Sequence, residues 1–157
     1  MDVFKLWMDH GKRPLNAGYS YIVIPSVTEP NLTGTNTGRS IEILANNIDI
    51  QAVNHTGLNV CQMVFYKAGK ISVTPDITIS MDSPGLIMVR TEGKVIKELS
   101  VSDPSRRLGR IHLTASVRID ERGDNFKAMW DELRGVTEIS IELPKGVYSG
   151  SSVTVIL

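Results

Sequence analysis

From Ile111 to Ile119 apolar and polar residues alternate without a break. Ile111, Leu113, Ala115, Val117 and Ile119 fall on one side, and His112, Thr114, Ser116 and Arg118 on the other. A period of two is that of a strand with one buried and one wet face, the antiparallel habit. Ile48-Asp49-Ile50-Gln51-Ala52 and Ile139-Ser140-Ile141-Glu142-Leu143 alternate in the same way. Further apolar runs predict strands over 19–24, 41–45, 58–66, 70–74, 76–80, 86–90, 95–101 and 152–157. Turn signals separate them, among them Asn54-His55-Thr56-Gly57, Ser83-Pro84-Gly85, Glu92-Gly93, Asp103-Pro104-Ser105 and Pro144-Lys145-Gly146.

Many short strands at this spacing predict an all-β fold, an antiparallel β-sandwich, because a single sheet would leave one apolar face uncovered. One stretch breaks the period. Phe126, Met129, Trp130 and Leu133 fall at i, i+3, i+4 and i+7, which predicts one short helix inserted at about 125–134. Asp124 or Asn125 would cap its start and Gly135 would end it. Trp130 then reads as a plug over an open end of the sandwich, with sugar stacking as its other reading.

Composition agrees with strands: valine and isoleucine together number 31, against 12 leucines. Branching at Cβ restricts χ1 and suits a pleated surface better than a helix. The segment from Asn31 to Arg39 has no apolar period and is rich in Gly, Thr and Asn, so it reads as a linker or surface loop. It divides the chain into a piece over 1–37, too short for a core of its own, and a body over 38–157. The short piece is expected to be held less firmly than the body.

Seventeen basic and 17 acidic side chains leave no net charge, which argues against a nucleic-acid partner engaged by phosphate neutralisation. No apolar run approaches the ~20 residues of a membrane-spanning helix. The first residues lack the basic start and apolar core of a signal peptide. A single cysteine, Cys61, excludes an internal disulfide and any multi-cysteine zinc site. Set among apolar neighbours in a predicted strand, it reads as a small buried residue.

Three histidines, His10, His55 and His112, have no partner at ligand spacing, and no metal or cofactor is expected. There is no Gly-rich turn leading to Lys-Ser or Lys-Thr and no Gly-Xaa-Ser-Xaa-Gly. Arg106, Arg107 and Arg110 follow Asp103-Pro104-Ser105, where they form a solvated turn or a contact for an anionic partner. His10, Arg13, Tyr19 and Tyr21 are close in sequence, and such groups can in principle run a β-elimination on a uronic acid. Packing in a strand with two largely apolar faces explains the tyrosines better. Asn-Xaa-Thr triplets at Asn31 and Asn54 match the glycan-acceptor pattern, one that often arises by chance.

The stretch Trp7-Met8-Asp9-His10-Gly11-Lys12-Arg13-Pro14, continuing through Tyr19-Ser20-Tyr21-Ile22-Val23-Ile24-Pro25, resembles a segment near the end of the large β-sandwich domain of polysaccharide lyase family 8. That family contains the hyaluronate, chondroitin AC and xanthan lyases. Ile41-Glu42-Ile43-Leu44-Ala45-Asn46-Asn47 resembles its entry into a small C-terminal domain, and Ser102-Asp103-Pro104-Ser105 that domain's turn. Leu143-Pro144-Lys145-Gly146, followed by Gly150-Ser151-Ser152-Val153, resembles its closing hairpin. The segment 120–135 is the least family-like and reads as an insertion.

The resemblance implies a C-terminal fragment of a lyase. Residues 1–37 would be the last strands of the central sandwich domain, and 38–157 the small C-terminal sandwich. The partners implied are the helical toroid and central sandwich domains of the same parent chain, and the parent's acidic polysaccharide substrate. The implied location is secreted or periplasmic. The family cleaves by β-elimination with an asparagine, histidine, tyrosine and arginine of its helical domain. None of those motifs occurs here, so no catalytic residue is carried over and the fragment alone is expected to be inactive. Two other expectations stand beside this supporting role. One is a carbohydrate-binding module, with Trp130, Arg106 and Arg107 as candidate glycan contacts. The other is a purely structural sandwich of a surface protein.

Overall fold

A computed structural model describes residues 7–24 and 40–157. The chain divides into two compact units, Met1–Thr35 and Asn36–Leu157. The sequence-predicted linker at 31–39 and the Asn31 triplet lie outside the described residues.

Among its described residues the second unit holds twelve strands in two six-stranded antiparallel sheets. The first sheet has the order β1-β2-β3-β6-β7-β12: β1 (Ile41–Asn46), β2 (Ile50–His55), β3 (Val60–Phe65), β6 (Gly85–Glu92), β7 (Val95–Ser102) and β12 (Val153–Ile156). The second has the order β4-β5-β8-β11-β10-β9: β4 (Gly69–Ser72), β5 (Thr78–Met81), β8 (Arg110–Ala115), β11 (Val136–Glu142), β10 (Phe126–Asp131) and β9 (Glu121–Arg122). A 3-10 turn at Gly146–Tyr148 precedes β12.

The expected alternation builds the core. Cys61, Met63 and Phe65 of β3, Ile87 and Val89 of β6, and Ile111, Leu113 and Ala115 of β8 are all buried, as are Ile139 and Ile141 of β11. Each large side chain so enclosed contributes about 1.5–3 kcal/mol over an exposed position. In the β6–β7 hairpin, Arg90 pairs with Glu98 and Thr91 with Ile96, so Lys97 is an extra residue. The bulge shifts the parity of β7, which lets Ile96 and Leu99 both face inward.

Four expectations need correction. No helix forms at 125–134. The stretch is a β-hairpin, β10 and β11, paired from Phe126↔Ile141 to Asp131↔Val136. Two inward positions two residues apart, Phe126 and Ala128, carry the real period, and the small Ala128 conceals it. Leu133, the fourth residue of the helical pattern, sits 99% exposed at the hairpin tip. There Asp131 Oδ1 accepts the backbone N–H groups of Leu133 (2.9 Å) and Arg134 (3.1 Å), and Gly135 takes φ 64°. This Asx-type turn reverses the chain where a helix would have run on. With β9, the hairpin forms one edge of the second sheet.

Next, β8 stops at Ala115, although its alternation runs to Ile119. Buried Thr137 draws the chain aside there: its Oγ1 donates to Val117 O (2.6 Å) and accepts from Ile119 N–H (2.9 Å). Third, Ile48 lies in the β1–β2 turn, 89% exposed, and β2 begins at Ile50. The Asn47 side-chain carbonyl makes that turn by accepting from Asp49 N–H and Ile50 N–H, both at 2.9 Å.

Finally, residues 19–24 of the first unit form no strand, and Tyr19 and Tyr21 are exposed rather than buried. The described residues of that unit are exposed apart from Ile24, so they offer these rings no core. The chain is extended enough to stack Tyr19 on Tyr21, with ring centroids 6.3 Å apart, and to set His10 6.0 Å from Tyr19.

Candidate functional site

The loop from β7 to β8 crosses between the sheets and is built around one carboxylate. Asp103 is buried, at 3% exposure. Its Oδ1 accepts from the Ser105 backbone N–H (2.8 Å) and the Ser105 hydroxyl (2.6 Å). Its Oδ2 accepts from the N–H groups of Arg107 and Leu108, each at 2.7 Å. Burial pushes the carboxyl pKa up, but the Ser105 hydroxyl and the N–H donors of Leu108, Arg107 and Ser105 outweigh it and hold it below the usual carboxylate range.

The same loop places Arg106 in the left-handed region at φ 59°, which a residue with a Cβ adopts at a cost of about 1–2 kcal/mol. Arg106 N–H donates to Asp103 O at 3.1 Å. Gly150, at φ 88°, lies beside it, and a Cβ there would come within 3.2 Å of Arg106 Cγ. Arg106 and Arg107 are both exposed. Arg110 pairs with Glu142 across β8 and β11.

Trp130 lies at the other end of the second sheet. Arg110↔Glu142 marks one end of β8 and Ala115↔Thr137 the other, and Trp130 pairs with Thr137. The five residue-to-residue steps from Arg110 to Ala115 span about 17 Å. The three candidate glycan contacts therefore do not converge: the arginine pair and the tryptophan occupy opposite ends.

Trp130 is half-buried on β10, on the same side of the strand as Phe126 and Ala128. The Arg118 guanidinium covers its ring at 5.9 Å, within cation–π range. Arg118 is held there by Asp120 (3.1 Å) and Glu132 (2.7 Å), bonds that raise its pKa. Asp120 also accepts Trp130 N–H at 3.0 Å, the main reason its own pKa is lowered. Glu132 is lowered by the nearby indole N–H and by Arg118. That indole Nε1–H has no partner in hydrogen-bonding geometry, so its pull on Glu132 is electrostatic. A sugar stacking on this face would first have to displace Arg118.

Two other surfaces gave no sequence signal, because each joins residues far apart in the chain. The outer face of the second sheet carries a shallow groove of about 730 Å³ lined by Ser80, His112, Thr114, Lys127, Met129 and Ser140 among others. The outer face of the first sheet carries an apolar strip across β1, β2, β3 and β6, beside the polar Ser100, Thr154 and the Arg90–Glu98 pair. There Ile43 pairs with Val53, Val64 with Leu86, and Gln62 with Met88. Ile43 and Val53 are 50% and 41% exposed, and Tyr66, bonded to Gln51 at 3.2 Å, is 52% exposed. Among the described residues no group of His, Cys, Asp and Glu could hold a metal, and no helix is long and apolar enough to cross a membrane.

Residues 42–112 match the model of the polysaccharide lyase family 8 C-terminal β-sandwich domain. The chain is similar to chondroitinase-AC of Pedobacter heparinus, 44% identical over 89 residues, which are 57% of this chain and 13% of that enzyme. It is similar to a hyaluronate lyase of Thermasporomyces composti, 27% identical over 152 residues, covering 87% of this chain and 19% of that enzyme. Among solved structures, a chondroitinase AC lyase characterised as enzyme–oligosaccharide complexes superposes with a TM-score of 0.71 at 28% identity. It covers 93% of this chain and 19% of that one. A xanthan lyase of Paenibacillus shares the fold, with a TM-score of 0.63 at 18% identity over 85% of this chain and 13% of that one. The chain thus spans no more than a fifth of the length of the curated relatives it matches, from 6% to 19%.

Proposed function

We propose that the chain is the C-terminal part of a polysaccharide lyase of family 8, a reading supported by its match to that family's C-terminal β-sandwich domain and its likeness to chondroitinase AC, and that its part in such an enzyme is structural. In this reading the parent cleaves an acidic polysaccharide of the chondroitin or hyaluronan type by β-elimination, outside the cytoplasm. Residues 1–37 complete the central sandwich, and 38–157 buttress it without taking part in the chemistry.

The apolar strip on the outer face of the first sheet carries this reading. Ile43, Val53, Val64, Leu86 and Met88 form a cross-strand patch on a domain that already has a complete core. An exposed patch of that kind marks a surface meant to be covered. The strongly perturbed groups point the same way. Cys61 is enclosed in the core, Asp103 is spent on four donors of one loop, and Arg118, Asp120 and Glu132 are paired with one another. None stands as a base before an open cleft.

The test is to express the gene product that carries this chain and assay it on chondroitin, hyaluronan and xanthan. Ultraviolet absorbance from unsaturated uronides is expected to rise on at least one of them. A folded product silent on all three overturns the lyase reading.

A further inference from the structure

Three loops meet at the end of the sandwich away from Trp130. A Cβ on Gly150 would come within 3.2 Å of Arg106 Cγ, and one on Gly109 within 3.9 Å of Lys145 Cε. Leu143 N–H donates to Gly109 O at 3.0 Å, which fastens the 143–146 segment to the Arg-bearing loop. The 3-10 turn between them presents Tyr148 at 70% exposure. Arg106, Arg107 and Lys145 are exposed, and none makes an ion pair among the described residues. Asp103 is engaged by backbone and Ser105 donors and Glu142 by Arg110, and Asp124 stands beyond them, next to Asn125, whose carbonyl accepts Glu142 N–H. Three cations and an aromatic ring are thus carried by loops that meet here, and none of the three cations is held in an ion pair among the described residues, on a chain whose net charge is zero.

We propose that this end of the sandwich is a docking point for acidic polysaccharide. Arg106, Arg107 and Lys145 engage sulfate or carboxylate groups, and Tyr148 is the platform for a sugar ring. The choice of ligand rests on the acidic-polysaccharide reading above. The charge favours it, since guanidinium groups match carboxylate and sulfate in a planar fork. The backbone favours it too: Asp103 holds the main chain of both residues, Arg107 N–H through its carboxylate and Arg106 N–H through its carbonyl, so the loop needs no ordering on binding. Tyr148 and Val147 are the large apolar side chains exposed on this turn, far short of the roughly 800 Å² per partner that a stable protein interface buries. Trp130, shielded by Arg118 at the opposite end, has no part in it.

The 157-residue chain is titrated with chondroitin sulfate, hyaluronan and neutral dextran, by calorimetry and by retardation in polysaccharide-containing gels. Saturable binding to an acidic polymer is expected, weakening as salt rises, with none to dextran. Arg106→Gly combined with Arg107→Ala should lower affinity about tenfold or more. Glycine suits φ 59°, so this variant keeps the loop. Tyr148→Ala should weaken binding less. Lys127→Ala, in the groove on the second sheet, should leave it unchanged.

Absence of binding by the folded chain at low salt overturns the proposal. So does binding that Lys127→Ala weakens as much as the arginine variant does. If the arginine variant instead lowers only the melting temperature of the longer gene product, the patch is an intramolecular contact and the proposal fails. Turnover by that product with no binding here sinks the docking point and leaves the lyase reading standing.

Discussion

The Asp103 carboxylate accepts the backbone N–H of Leu108 at 2.7 Å, five residues ahead in the chain, and so closes the crossover from one sheet to the other. Three more donors share the same two oxygens. Asp103→Asn keeps the shape but loses the charge and turns an acceptor into a donor facing N–H groups. It should destabilise the second unit by about 1–3 kcal/mol in thermal or urea unfolding.

Stability should depend on pH through the same group. The folded carboxyl has a lowered pKa, so its contribution is fully present above the unfolded aspartate value. It is lost as pH falls from there through the folded value. Asp103→Asn should flatten the unfolding profile across that acidic window and change nothing of its slope near neutrality. An identical slope in both proteins would refute the assignment.

Thr137 offers a second handle on a crossing. Its hydroxyl is the partner of both Val117 O and Ile119 N–H in a fully buried position. Thr137→Val keeps the volume and strands both groups, at an expected cost of about 2 kcal/mol. Thr137→Ser keeps the hydroxyl and should recover much of that loss, measured by chemical denaturation.

Burial pushes the Cys61 thiol up to about 11. At pH 8 almost none of it is thiolate, and the core excludes reagents. A colorimetric disulfide reagent should react with the native chain many times more slowly than with chain unfolded in urea. Equal rates would place Cys61 outside the core.

The apolar face of the first sheet predicts a split between the isolated chain and the whole enzyme. Val53→Lys and Leu86→Lys alter exposed positions, so each should shift the chain's own stability by no more than about 0.5 kcal/mol. In the longer gene product the same changes should lower the melting temperature clearly, because a charge would then be buried against a neighbour. Equal small effects in both would mean that nothing covers this face.

Most strands were legible because their inward positions are branched apolar residues in strict alternation, as in Ile111, Leu113 and Ala115. The hairpin around Trp130 was not. Ala128 is too small to signal an inward position, and Phe126, Met129, Trp130 and Leu133 imitate a helical stripe although Met129 and Leu133 face solvent. The arginine pair was visible as residues, but its setting was not. Lys145 and Tyr148 join it only through loop contacts some 40 residues away in sequence, and the Asp103 clamp needs coordinates to be seen. The separation of Trp130 from the pair likewise follows from β8–β11 register, which no local pattern encodes.

The central claim is that this chain supports a lyase without carrying its chemistry. Its most direct test is the 157-residue chain alone, incubated at high concentration with chondroitin sulfate and hyaluronan while ultraviolet absorbance is followed. The account predicts a trace that stays on the buffer blank. A steady, enzyme-dependent rise would contradict it.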